Sequence, residues 1–132
     1  MSDHGRIIPL TPEPYEPERH IEVFAGYAVD PDEPTITLVA KRLGHIRRQD
    51  KGKDVAILRR SKILLAGIEA ERVVVRYYDD ESRVWRIEDF IEALQGEVEY
   101  SLYIRTGQKS YAQDRPIFDA VVRSFTLTRK ER

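Results

Sequence analysis

The sequence predicts an α+β domain: an antiparallel sheet of about five to seven strands with a C-terminal helix packed on it. Three observations lead there. Most segments between turn residues alternate apolar and polar side chains with the period of two that a strand requires. One amphipathic stretch near the C-terminus repeats at helical spacing instead. The chain has 132 residues, 41% apolar and 34% charged, with no cysteine. A chain of that size supports one core without disulfides, and zinc ribbons and thiol nucleophiles are excluded.

The elements follow in order. Six of the seven prolines, Pro9, Pro12, Pro14, Pro17, Pro31 and Pro34, precede residue 35. Such spacing removes too many donors and fixes too many dihedrals for a helix. Residues 1–19 are therefore expected as a proline-rich extended arm, and residues 20–132 as a single α+β domain. Ile21, Val23, Ala25, Tyr27 and Val29 have strand alternation, closed by the turn Asp30-Pro31-Asp32-Glu33-Pro34. Residues 35–43, with Ile36, Leu38 and Ala40 on one side, read as the second strand of that hairpin. Residues 44–54 read as an exposed basic turn around Gly52. Residues 55–66 read as a strand interrupted by Arg59, Arg60, Ser61 and Lys62, and Gly67 ends it.

Residues 71–78, with Val73-Val74-Val75 and Tyr77-Tyr78, make the clearest strand. Residues 82–95 fit both periods: Val84, Ile87, Phe90, Ile91 and Leu94 form a helical stripe, while Trp85, Ile87, Ile91 and Ala93 form a strand face. Residues 98–105 read as a strand with Val98, Tyr100, Leu102 and Ile104 on one face. Pro116 then opens a short helix carrying Phe118, Val121, Val122 and Phe125, and residues 126–128 resume extended structure.

The net charge of −1 conceals blocks of opposite sign. Residues 1–40 carry a net −6. Residues 41–62 carry +7, from Lys41, Arg42, Arg47, Arg48, Lys51, Lys53, Arg59, Arg60 and Lys62 against Asp50 and Asp54. Residues 63–100 return to −6 and residues 101–132 to +4. Such blocks predict surface fields of opposite sign. No run approaches the ~20 apolar residues of a membrane span, and the N-terminus lacks the apolar core of a secretory signal. A cytoplasmic location without membrane partners is expected.

A search for chemistry returns little. Nucleophilic hydrolysis needs a serine or cysteine beside a histidine and a carboxylate, whereas His4, His20 and His45 fall in or beside the arm and in the basic loop, and read as solvent-exposed. The acidic cluster Asp79-Asp80-Glu81 reads as a solvated hairpin turn and lacks the Asp-x-Asp-x-Asp-Gly loop of an EF-hand. The seven glycines are scattered singly, so neither phosphate-binding glycine motif is present. No catalytic residue, metal ligand or cofactor is assigned, and the chain is expected not to be an enzyme. The 41–62 block could hold phosphates, with Tyr77, Tyr78 or Trp85 stacking on bases. The overall pI of about 6.3 counts against nucleic acid as the partner.

The order of the later segments carries a resemblance. Gly67-Ile68-Glu69-Ala70 opens one strand, Tyr100-Ser101-Leu102-Tyr103-Ile104-Arg105-Thr106-Gly107 forms another, and Phe118-Asp119-Ala120-Val121-Val122-Arg123-Ser124-Phe125-Thr126-Leu127 closes the chain. Over about half its length the sequence resembles the PsbP-like superfamily. There a Tyr-x-Leu strand, a short polar loop and a helix ending in Val-x-Ser-Phe complete the domain. That superfamily includes photosystem II extrinsic proteins, DcrB-like bacterial proteins, a Ran-binding nuclear transport factor and Eag-type chaperones of type VI secretion effectors. Two features depart from its pattern: residues 44–54 are short and basic where members carry a longer helix, and a proline-rich arm replaces the usual start.

The resemblance implies that residues 82–95 form a strand pairing with 98–105 across Gly96. It implies no catalytic residues, because the superfamily is known mostly for docking on other proteins. The first expectation is thus a non-catalytic protein-binding module, an adaptor or chaperone-like partner of a larger bacterial protein. Its contact residues are expected among Arg47, Arg48, Lys51, Lys53, Arg59, Arg60, Tyr77, Tyr78 and Trp85. The alternatives are polyanion binding through 41–62 and small-molecule binding.

Overall fold

A computed structural model describes residues 4–9, 20–27, 35–48 and 52–125. The element order is β1 (His4–Pro9), β2 (His20–Tyr27), α1 (Thr35–Arg48), β3 (Gly52–Leu65), β4 (Ile68–Asp79), β5 (Val84–Gln95), β6 (Val98–Gly107) and α2 (Tyr111–Ser124). The six strands form one sheet in the order β1-β2-β6-β5-β4-β3, and every neighbouring pair is antiparallel. Strands β3 to β6 are a meander with tight turns; Ala66 and Gly67, both at positive φ, close the first of them. Strand β2 instead lies beside β6 and β1 beside β2, so the chain crosses from one side of the sheet to the other through α1.

Each face of the sheet carries one helix. Leu65, Ile68, Ala70, Ile91, Ala93, Leu102, Ile104 and Ile21 pack with Phe118 of α2, joined by Val121, Val122 and Phe125. On the opposite face Val73, Val75, Tyr77 and Phe90 pack with Val39 and Ile46 of α1. Strand β5 is covered on both sides, and Arg86 to Ala93 are all buried. The resemblance settles the ambiguity of 82–95 in favour of a strand, as observed. Its pairing with β6 across the Gly96 turn is observed as well.

Two expectations are corrected. Residues 35–43 are helical, not the second strand of a hairpin, and α1 continues through the segment read as a basic turn as far as Arg48. The decisive spacing is Val39, Leu43 and Ile46, the three- and four-residue steps of a helical stripe. His45, Arg47 and Arg48 in the last turn complement the helix dipole. Helix α2 begins at Tyr111, so Pro116 lies inside it. Its ring nitrogen has no hydrogen to donate to the preceding turn, which costs the helix one bond. Thr106 Oγ1, donating to the buried Asp114 at 2.6 Å, pins that first turn to β6. The stretch 126–128 and the turn at 30–34 lie outside the described residues. Of the arm, His4–Pro9 pairs with β2 as an edge strand.

Candidate functional site

The site is built on β5, where alternation sends neighbouring carboxylates to opposite faces. Glu88 and Glu92 share the α1 face with Phe90; Asp89 points to α2. Glu88 is fully buried. It accepts from Arg42 Nε of α1 at 2.6 Å and from Arg105 Nε of β6 at 3.2 Å. Arg42 also lies over the Tyr103 ring, 4.1 Å from its centroid. The Tyr103 hydroxyl donates to Glu22 of β2. Burial, and that bond to Glu22, push the phenol well above its ordinary range.

Arg42 and Tyr103 also line a cavity of about 280 Å³ between the helix and the sheet. Glu22 and Phe24 of β2, Glu92 of β5, and Glu99, Ser101 and Tyr103 of β6 form its strand wall; Leu38, Lys41, Arg42 and His45 form its helix wall. Glu92 is 3% exposed, and Ser101 Oγ donates to its Oε1 at 2.6 Å. Burial pushes this carboxyl up to about 8. The neighbouring Glu99 and Glu88 charges add to that, while the Ser101 bond and Arg42 oppose it. At neutral pH the group is therefore mostly protonated.

The residues read from the sequence fall elsewhere. Arg47 and Arg48 are exposed at the end of α1, and Lys51 lies outside the described residues. Lys53 is exposed at the start of β3, with its Nζ 3.2 Å from Asp80. Arg59 and Arg60 lie further along β3, and Arg60 Nε donates to Glu71 at 2.8 Å. Lys53 and Lys62 are nine residues apart on one strand, roughly 30 Å, so the basic block does not gather into one patch. Tyr77 is 1% exposed and belongs to the α1 core. Tyr78 and Trp85 meet edge to face at 5.4 Å on the other face, with Arg76 5.1 Å from the Trp85 ring centroid. His20 and His45 are half-buried instead of solvent-exposed, and His20 packs edge to face on Tyr103. The acidic cluster is the β4–β5 turn: Asp79 accepts from the amides of Glu81 and Ser82 and from Arg86 Nε at 2.8 Å.

The outer edge of β3 has no partner strand among the described residues. Among these residues the exposed large apolar side chains are Ile57, Leu58, Leu64, Val84, Trp85 and Ile117. Three of the six lie on β3. No group of three or more His, Asp or Glu among the described residues is arranged to hold a metal ion. No described helix is long and apolar enough to cross a membrane.

The sheet, its strand order and the C-terminal helix make a PsbP-like arrangement. Two solved structures have this fold. PA94 from Pseudomonas aeruginosa, a protein of unknown function and candidate regulator, superposes with a TM-score of 0.69 at 12% identity, over 98% of this chain and 85% of its own. Cyanobacterial PsbP (CyanoP) from Synechocystis sp. PCC 6803 superposes with a TM-score of 0.63 at 13% identity, over 96% and 82%. No family model and no curated protein matches the sequence.

Proposed function

We propose that this chain is a non-catalytic protein-binding module, an adaptor or chaperone-like partner of a larger bacterial protein, and that it docks through the outer edge of β3. The observation that carries this reading is a 14-residue edge strand with Ile57, Leu58 and Leu64 exposed. An unpaired edge of this kind offers backbone donors and acceptors to an added strand, and apolar side chains give it affinity. Exposed Arg59 and Lys62 between the apolar positions favour an extended segment that carries carboxylates. The register shifts flanking Ala56 to Ile57 and Arg59 bend the strand and disfavour indiscriminate pairing.

The test is affinity capture from a native lysate with the wild-type chain and with Leu58→Asp/Leu64→Asp, at low and high salt. A dominant protein retained at high salt by the wild type and lost by the variant supports the reading. Retention by the wild type and the variant alike removes β3 from it. Recovery of nucleic acid only, and only at low salt, replaces it with polyanion binding.

A further inference from the structure

The two faces of the β3 edge differ in charge. On β4, Val73 and Val75 pack with α1, whereas Arg72 reaches Asp119 of α2, so odd positions face α1 and even positions face α2. Register carries that assignment to β3. Ile57, Arg60, Lys62 and Leu64 lie opposite Val75, Val73, Glu71 and Glu69, on the α1 face. Arg59 and Ser61 lie opposite Val74 and Arg72, on the α2 face.

We propose that the segment docking on β3 is an extended peptide with carboxylates at alternate positions, and that these lie on the α2 face, where Arg59 selects them. The proposal rests on the reading of β3 as the docking edge.

Compensation is the first support. On the α1 face both cations already have carboxylates beside them on β4. Arg60 Nε donates to Glu71 at 2.8 Å, and Lys62 stands opposite Glu71, with Glu69 next on that face. The α2 face lacks this balance. Arg72 is held by Asp89 and Asp119, and Lys53, at the far end of the strand, by Asp80. Among the described residues Arg59 and Arg76 have no carboxylate partner; Arg76 lies against the Trp85 ring instead. Two unmatched guanidinium groups therefore stand on one face only, on neighbouring strands.

Strand geometry turns that imbalance into a sequence preference. An added strand sends its side chains alternately to the two faces. Opposite charges on neighbouring strands attract, and like charges repel. Positions beside Arg59 and Ser61 thus favour carboxylates. Positions on the α1 face favour apolar groups, because the cations there are matched and Ile57 and Leu64 are exposed. A second copy of β3 fits poorly, since it would bring Arg59, Arg60 and Lys62 to an edge that already carries them. Nucleic acid fits less well than a peptide, because its phosphates offer no alternation and would also meet Glu69 and Glu71.

The test titrates the full chain, labelled with ¹⁵N, with the blocked peptide Glu-Val-Glu-Thr-Glu-Val-Glu and with the same peptide carrying Gln or Lys in place of Glu. The Glu peptide is expected to give saturable amide shifts along residues 57–64. At low salt it should bind ~5-fold more tightly than the Gln peptide, with the Lys peptide weakest. The preference should shrink as salt rises. Arg59→Gln, at an exposed position, is expected to bring the Glu and Gln peptides within ~2-fold of each other, and Arg59→Lys to keep most of the difference. Leu58→Asp/Leu64→Asp is expected to lose the neutral peptide as well. Equal affinity for the three peptides, lost in the β3 double variant, overturns the carboxylate assignment and leaves the edge standing. Shifts with no peptide, or shifts that survive in the double variant, remove the edge and the assignment together. A preference that Arg59→Gln leaves intact overturns the proposal by placing the carboxylates on the α1 face. Tighter binding of an oligothymidylate of equal charge overturns it in favour of nucleic acid.

Discussion

Glu88 and Asp89 are consecutive, both are fully buried, and each faces a different helix. Under α2 the carboxylate is saturated. Asp89 accepts from Arg72 Nε at 2.9 Å and Nη2 at 2.7 Å, and from the Tyr111 hydroxyl at 2.7 Å. Arg72 extends the network to Asp119 of α2 at 2.8 Å. Its guanidinium is held well above its usual range, chiefly by the bond to Asp89. Under α1, Glu88 is served by Arg42 and Arg105, while the next carboxyl on that face, Glu92, accepts among the described residues from Ser101. The Asp89 network thus closes around the helix that covers it, whereas Glu92 lines a cavity. A satisfied buried network fixes a structure.

The largest expected effect breaks the closed face. Arg72→Ala would leave Asp89 buried without its charge partner, and chemical denaturation should show a loss of about 3–5 kcal/mol. Tyr111→Phe removes one charge-assisted bond from the same carboxylate. A loss of about 1–2 kcal/mol is expected, small enough for the fold to survive and be measured by the same method.

Glu92 sharpens the contrast through pH. Its folded pKa of about 8 lies above the ordinary 4.5. Between those values the folded state holds a proton that the unfolded chain releases. This contribution to stability is complete below about pH 4.5 and declines as pH rises toward 8. The slope is at most about 1.4 kcal/mol per pH unit for one proton. Glu92→Gln should flatten that part of the stability–pH curve, and an unchanged curve would assign the proton elsewhere. The smallest effect belongs to the surface. Lys53→Ala, which removes an exposed pair with Asp80, should change stability by no more than about 0.5 kcal/mol.

Strand patterning made β2, β4 and β6 legible, and their turns carry glycine or acidic residues, whereas β5 is buried on both faces, fits both periods and was read as a strand only through the resemblance. Helix α1 was hidden by a short window. Over residues 35–43 a period of two fits Ile36, Leu38 and Ala40, and only the wider spacing out to Ile46 shows the helical stripe. The cavity was harder still. Glu92 and Glu99 sit on neighbouring strands, but Glu22 lies on β2 about seventy residues earlier, so no local motif joins the three. One signal was available. If 82–95 is a strand, Glu88, Phe90 and Glu92 share a face and Asp89 takes the other, so a central strand must bury carboxylates on both sides. Charge clustering pointed instead to residues 41–62, where the cations are dispersed along α1 and β3 or absorbed by Glu88, Asp80 and Glu71.

The strand order also sets a timetable for assembly. The meander from β3 to β6 joins neighbours in the chain, so its loops are short and inexpensive in entropy to close. Strand β2 has a local partner only in β1; its other edge pairs His20 with Arg105 and Tyr27 with Val98, across at least seventy residues of intervening chain. On a ribosome β2 is therefore made near the start, with β1 beside it, and must wait for β6 to emerge before it can join the rest of the sheet. Phe24 and Glu22 travel with it. The wall of the cavity that they form closes only once β6 has paired with β2, and no product of translation that stops short of β6 can own that cavity.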